Sequence, residues 1–162
     1  MEKLKKDFIT GHDAMLVDLV SGERLHFQGL PNELNITPET SWATIKPFGR
    51  NNPHYHFTGS EDTIEFEVSW YAEKADKSDV IEKCKWVESL TKADGYEGGP
   101  HHVSFIFGDL FKTAKWIVFA APYVISLFDK ANGMRPTLAT QTITLKRITD
   151  NNLKLRDVLN WR

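Results

Sequence analysis

Glu65 and Glu67 stand two positions apart in the run from Thr63 to Tyr71. On a strand, residues two apart share a face, which sets their carboxylates roughly 6.5–7 Å from each other. Glu61 and Asp62 lie just before them. Paired carboxylates at such separations perform glycoside hydrolysis. The same pattern arises on a strand face that is solvated or that lines a wet cavity, and this plainer reading is preferred.

The six histidines raise the question of a metal. A zinc site needs three or four ligands converging at about 2 Å. His54 and His56 fall on one face of a strand, whereas the adjacent His101 and His102 face opposite ways. No HExxH and no paired cysteine motif occurs, so the histidines read as surface or interface groups. Cys84 lies on the apolar stripe of a helix, where a thiol acts as a small hydrophobe rather than a nucleophile. The glycine-containing segments Gly95 to Pro100 and Asn132 to Pro136 lack the GxGxxG and GxxxxGK[ST] spacings of phosphate loops, and there is no nucleophile elbow. These observations lead to the expectation of no catalytic residue, no cofactor and no bound metal.

The elements that would carry these residues are mostly strands. Ala14 to Val20, the Ser21-Gly22-Glu23 turn and Arg24 to Gln28 have the pattern of a hairpin. Gly29 to Thr40 reads as a loop, and Ser41 to Pro47 as a short strand. In the clearest strand, Ile64, Phe66, Val68 and Trp70 point one way; Thr63, Glu65, Glu67, Ser69 and Tyr71 point the other. His102 to Phe107, Trp116 to Ala121, Tyr123 to Phe128 and Thr137 to Ile148 add further strands. A single helix is predicted over Asp79 to Asp94. Asp79 and Glu82 would form its capping box and Gly95 its stop, with Val80, Cys84, Val87 and Thr91 forming its buried stripe. Strands without regular helical crossovers predict a mainly β fold, an antiparallel barrel or sandwich with one helix packed on it.

Bulk composition narrows the function classes. The chain has 162 residues, 41% hydrophobic and 26% charged, with a net charge of −2. That fits one soluble domain and argues against a surface built mainly for nucleic acid. Aromatics make up 12%, including five tryptophans, which need a core or an interface to cover them. A lone cysteine requires no oxidising compartment. The charged start and the short apolar runs lead us to expect no signal peptide, no membrane span and work or assembly in a cytoplasm.

Several stretches, taken in order, resemble one family. They are Arg24 to Gln28 running to Pro31-Asn32-Glu33-Leu34; Tyr55 to Gly59 followed by Glu61 to Phe66; Lys83 to Leu90; Val103 to Phe111, ending Phe-Gly-Asp-Leu-Phe; and Met134-Arg135-Pro136 leading to Ile143 to Arg147. Together they resemble the tube-like domain of contractile injection systems, found in the baseplate hub of contractile-tailed phages. The resemblance covers residues 14 to 148, leaving 1–13 as a lead-in and 149–162 as an amphipathic tail. The LysM module frequent in that family is not expected in residues 149–162, which are too few for a second domain, so peptidoglycan binding is not carried over.

The resemblance implies a tail-tube-like barrel of two packed antiparallel sheets with a flanking helix. It also implies a ring of six copies, stacked between the hub and spike complex and the tail tube. The implied partners are copies of the chain and neighbouring tube and hub proteins. DNA would pass through the channel without specific binding, and the place of work would be the virion tail baseplate, assembled in the host cytoplasm. The alternatives left open are a β-barrel that binds a small ligand and, third, a hydrolase using Glu65 or Glu67. For a ring, the contact residues expected are Arg50, Asn51 and Tyr55 in one turn, Arg135 in another, and Trp161 as a tail anchor; arginine suits such contacts because of its planar multi-donor head.

Overall fold

Apolar residues alternating with polar ones give a mainly antiparallel β structure with one helix in the computed structural model, which describes residues 14–93, 98–111 and 114–148. The strands are β1 (Ala14–Asp18), β2 (Arg24–His26), β3 (Asn35–Ile45), β4 (His54–Tyr71), β5 (His102–Phe107), β6 (Lys115–Ala120), β7 (Tyr123–Asp129) and β8 (Arg135–Ile148). Helix α1 spans Asp79–Ser89. All the pairings are antiparallel, in the order β2-β1-β5-β6-β8-β4-β3, with β7 also on β8.

The two expected sheets are two layers of one continuous sheet. β8 is shared: its C-terminal half pairs with β6 and its N-terminal half with β7. Pro122 causes the division, since it has no N–H to continue a ladder. One layer is therefore β7-β8-β4-β3 and the other β2-β1-β5-β6. They face each other across an aromatic column. Phe66 of β4 stacks on Phe105 of β5 at 4.8 Å, and Phe111 carries the column on to Trp116. Ile64, Val68, Trp70, Ile143 and Leu145 fill the rest from the first layer. The alternation of β4 is as read from the sequence: its even positions from Ile64 to Trp70 are buried, while Glu65 and Glu67 are exposed.

Helix α1 closes one side through Val80, Cys84, Val87 and Leu90. Burial pushes the Cys84 thiol up to about 11, so the cysteine serves packing. Gln141 is a buried polar group with three bonds. It accepts from Trp70 Nε1 at 2.9 Å and donates to the carbonyls of Cys84 and Ala121. One amide thus ties β8, β4, α1 and the Pro122 corner together, at a site where an unpaired polar group would be costly.

The segment after β2 approaches β4 beyond the end of β3, without a main-chain ladder among the described residues. Gln28 Nε2 donates to the Tyr71 carbonyl at 2.9 Å, and the Tyr71 N–H donates to Gln28 Oε1 at 2.7 Å. A side-chain amide here stands in for a neighbouring strand.

Three local expectations fail. Asn35 to Thr40 is strand, not loop, because it pairs continuously with Glu65 back to Ser60; Pro38 fits there because β3 is an edge strand. The capping box does not form. Ser78 is the N-cap, without a side-chain cap bond, and the Asp79 carboxylate instead receives the N–H of Glu73 at 2.9 Å and of Lys74 at 3.4 Å. Glu82 pairs with Lys74 at 2.8 Å. The carboxylate thus organises the preceding loop, a long-range use that helix-start statistics do not encode. The helix also ends early, at Ser89, through short-range bonds from Leu90, Thr91 and Lys92; the expected Gly95 stop lies outside the described residues.

Candidate assembly interface

β4 is far longer than the strand read from its alternation. Its C-terminal half, Thr63 to Tyr71, is held by β8. His54 to Asp62 run beyond that support, paired only with β3 among the described residues. At about 3.3 Å per residue, these nine residues project roughly 30 Å. A two-stranded hairpin is marginal in water on its own, and this one carries large exposed apolar groups. Trp42 and Phe57 contact each other edge to face at 5.4 Å, and each is about half exposed. Ile45 and Tyr55 are more exposed than buried. The missing alternation explains why the arm was not read from sequence: with no core behind it, neither face needs to be uniformly apolar.

A register shift between Ser41 and Trp42 bends the arm. Gly59 lies opposite Ser41 with φ of 153°, a backbone state that a side chain would strain.

The residues picked as contacts divide between the two ends of the molecule. Arg50, Asn51 and Tyr55 gather at the tip of the arm, where the Arg50 guanidinium donates to His54 Nε2 at 3.0 Å. Arg135 is at the opposite end, in the β7–β8 turn, donating to the Asp76 carbonyl at 2.7 Å. Trp161 lies outside the described residues. The histidines separate as well: His54 and His56 are on the arm, and His101 holds the buried Asp18 carboxylate at 2.7 Å.

The end that carries Arg135 is braced by charge. Asp129 accepts from Lys77 Nζ at 2.5 Å, from Asn132 at 2.8 Å and from the N–H of Ala131 at 3.0 Å. The Lys77 bond, then the other two, hold its carboxyl down at about 2, below the ordinary 3.8. Three non-glycine residues with positive φ, Lys77, Leu127 and Met134, surround this hub. Leu127, Phe128 and Met134 are exposed beside it. The Asn132-Gly133 turn is as expected, a single 3-10 turn closed by Gly133 in the left-handed state.

This bracing has a pH signature. The folded carboxyl of Asp129 titrates below its unfolded value, so its contribution to stability is complete above about pH 4. That contribution fades as pH falls toward the folded value. Asp129→Asn is expected to lower stability at neutral pH and to flatten the loss between pH 4 and pH 2. Urea denaturation midpoints across that range check this; parallel curves for the two proteins would contradict it.

The most consequential geometry is in the main chain. The Ala72 N–H bonds to the Thr137 carbonyl, so even-numbered β4 residues bond toward β8 and odd-numbered ones toward β3. On β8, the Thr142 N–H bonds to the Pro122 carbonyl, so the even residues of β7 bond inward. Ile125 of β7 therefore turns its main-chain groups outward, as do Ile36, Pro38 and Thr40 of β3, whereas the carbonyl of Leu127, a residue in the left-handed region, accepts from the Thr137 hydroxyl at 2.6 Å. Among the described residues, the layer β7-β8-β4-β3 ends in an open edge on both sides, and the β7 edge also exposes Val124, Leu127 and Phe128. Long open edges with apolar side chains are templates for pairing with another chain. The outer face of this layer, away from the core, is hydrophilic: Glu65, Glu67 and Ser69 lie beside Thr144, Thr142 and Thr140.

No family model matches the chain, and no curated protein matches it. Among solved structures, the chain is similar to a chain in the tail of an empty gene transfer agent particle determined with C6 symmetry. The match has 13% identity and a TM-score of 0.46, and covers 88% of this chain and 96% of that one. It is also similar to a chain of the virion of a native gene transfer agent particle, at 12% identity and a TM-score of 0.44, covering 85% and 92%.

Proposed function

We propose that this chain is a structural ring component of a contractile phage tail or injection-system baseplate, connecting the hub and spike to the tail tube. The observation that carries the reading is the four-strand layer with two open edges. Pairing the β3 edge of one copy with the β7 edge of the next is a heterologous contact, which closes into a ring when the rotation closes. Such pairing would cover the exposed side chains of β7 and leave the Glu65, Glu67 and threonine face toward a central channel. An acidic and hydroxyl-lined wall lets DNA pass without binding it, since phosphate contacts need clustered lysine and arginine.

The ordered sequence resemblance supplies the kind of particle, and with it a ring of six in the virion tail baseplate, assembled in the host cytoplasm. The arm and the braced β7–β8 turn lie at opposite ends of the barrel, a disposition suited to contacts with rings above and below. The role is structural, not catalytic; Glu65 and Glu67 serve as channel wall. Sedimentation velocity across a concentration series tests the reading. A step from monomer to one closed oligomer is expected. A monomer at every concentration would defeat it.

A further inference from the structure

β3 begins at Asn35, opposite Glu65, and Gln28 meets β4 at Tyr71. Between these points β4 has no strand on its β3 side among the described residues. Glu67 and Ser69 share the odd-numbered register of Tyr71, so their N–H and carbonyl groups face this gap. The gap opens into a cleft of about 610 Å³. Its floor includes Glu65, Glu67, Ser69 and Thr142, and its wall is the segment following β2, with Asn32 and Glu33. Two main-chain donors and two acceptors thus lie in a slot about four residues long, bounded at both ends by existing pairings. The slot is acidic: Glu33, Glu65 and Glu67 line it, and none forms an ion pair among the described residues.

We propose that this slot takes up an extended peptide strand bearing lysine at alternate positions, supplied by a partner protein. The strand would continue the line of β3 along β4 and bond to the main chain of Glu67 and Ser69. This is strand addition, in which the main chain supplies affinity and alternate side chains supply specificity. Residues two apart on the added strand face the same way, so lysines at that spacing meet the floor carboxylates of Glu65 and Glu67, which are also two apart. Glu33 on the wall adds a third negative charge. The proposal stands apart from the ring, because the slot lies inside one copy and not at its outer edges.

The test uses the full chain, kept dilute so that copies do not pair, and two synthetic probes: acetyl-Lys-Val-Lys-Val-Lys-amide and acetyl-Glu-Val-Glu-Val-Glu-amide. Hydrogen exchange at Glu67 and Ser69 is followed residue by residue. The lysine probe is expected to slow exchange at both positions by at least about tenfold, a gain of about 1.4 kcal/mol. The glutamate probe is expected to leave both unchanged. Glu65→Gln with Glu67→Gln should weaken binding of the lysine probe while leaving the melting curve in place. Unchanged exchange with the lysine probe overturns the proposal, as does equal protection by both probes. Full protection in the dilute chain alone would mean that the slot is filled from within and would overturn it too. Protection that grows with protein concentration would assign the slot to a second copy, against the proposal.

Discussion

Trp70→Ala is expected to destabilise the domain by about 3–5 kcal/mol, the range for removing a buried aromatic from a packed core. Trp70 is completely buried in the layer that faces Phe105 and the helix, and its ring contacts Phe27 at 6.0 Å. The loss is not only of volume. Its indole N–H occupies the Gln141 oxygen, and an orphaned buried acceptor costs a further 1–3 kcal/mol or so, not strictly additive with the cavity. For a chain of this size the first range corresponds to a fall in Tm of roughly 6–20 °C. Trp42→Ala is the contrast. Trp42 is 56% exposed on the arm, and its loss should change monomer stability by less than about 1 kcal/mol. Thermal and urea denaturation of the two variants, measured as monomers, check the difference. Equal losses would mean that the core does not lie between the β4 and β5 layers.

The second large effect falls on assembly rather than folding. Ile125→Pro removes an N–H that faces away from β8, so the β7–β8 ladder keeps its inward bonds. Proline is compatible with an edge strand for this reason. The variant should fold with a melting curve close to that of the parent, yet lose the oligomer entirely, because a ring contains this contact once per copy. Thr40→Pro makes the same test on the opposite edge, where the neighbouring Pro38 already shows that the outward side tolerates a missing donor. If both variants assembled like the parent, the open edges would not be the joint.

Legibility followed burial. The alternation from Ile64 to Trp70 marked its strand because one face meets the core, and the stripe of Val80, Cys84 and Val87 marked the helix for the same reason. Asn35 to Thr40 and His54 to Asp62 were obscure because every β3 position is exposed; without a buried face, no period of two is imposed. Asp79 looked like a cap from its spacing to Glu82, but its partners are the backbone of Glu73 and Lys74 on a loop whose path the sequence does not display. The joint role of Gln28 and Tyr71, 43 positions apart, depends on tertiary proximity that no local pattern displays. Arg50, Asn51 and Tyr55 are neighbours in sequence, and the β3–β4 connection brings them together at the tip of the arm. The open edges themselves were invisible, since which strand lies outermost depends on pairing order and not on side-chain pattern.

Electron microscopy of the purified chain, with averaging of end-on views, tests the central claim most directly. The account predicts closed rings with a central channel and rotational symmetry for the parent protein, and isolated monomers for Ile125→Pro. A parent protein that remains single particles at every concentration, or rings that survive Ile125→Pro and Thr40→Pro together, would contradict it.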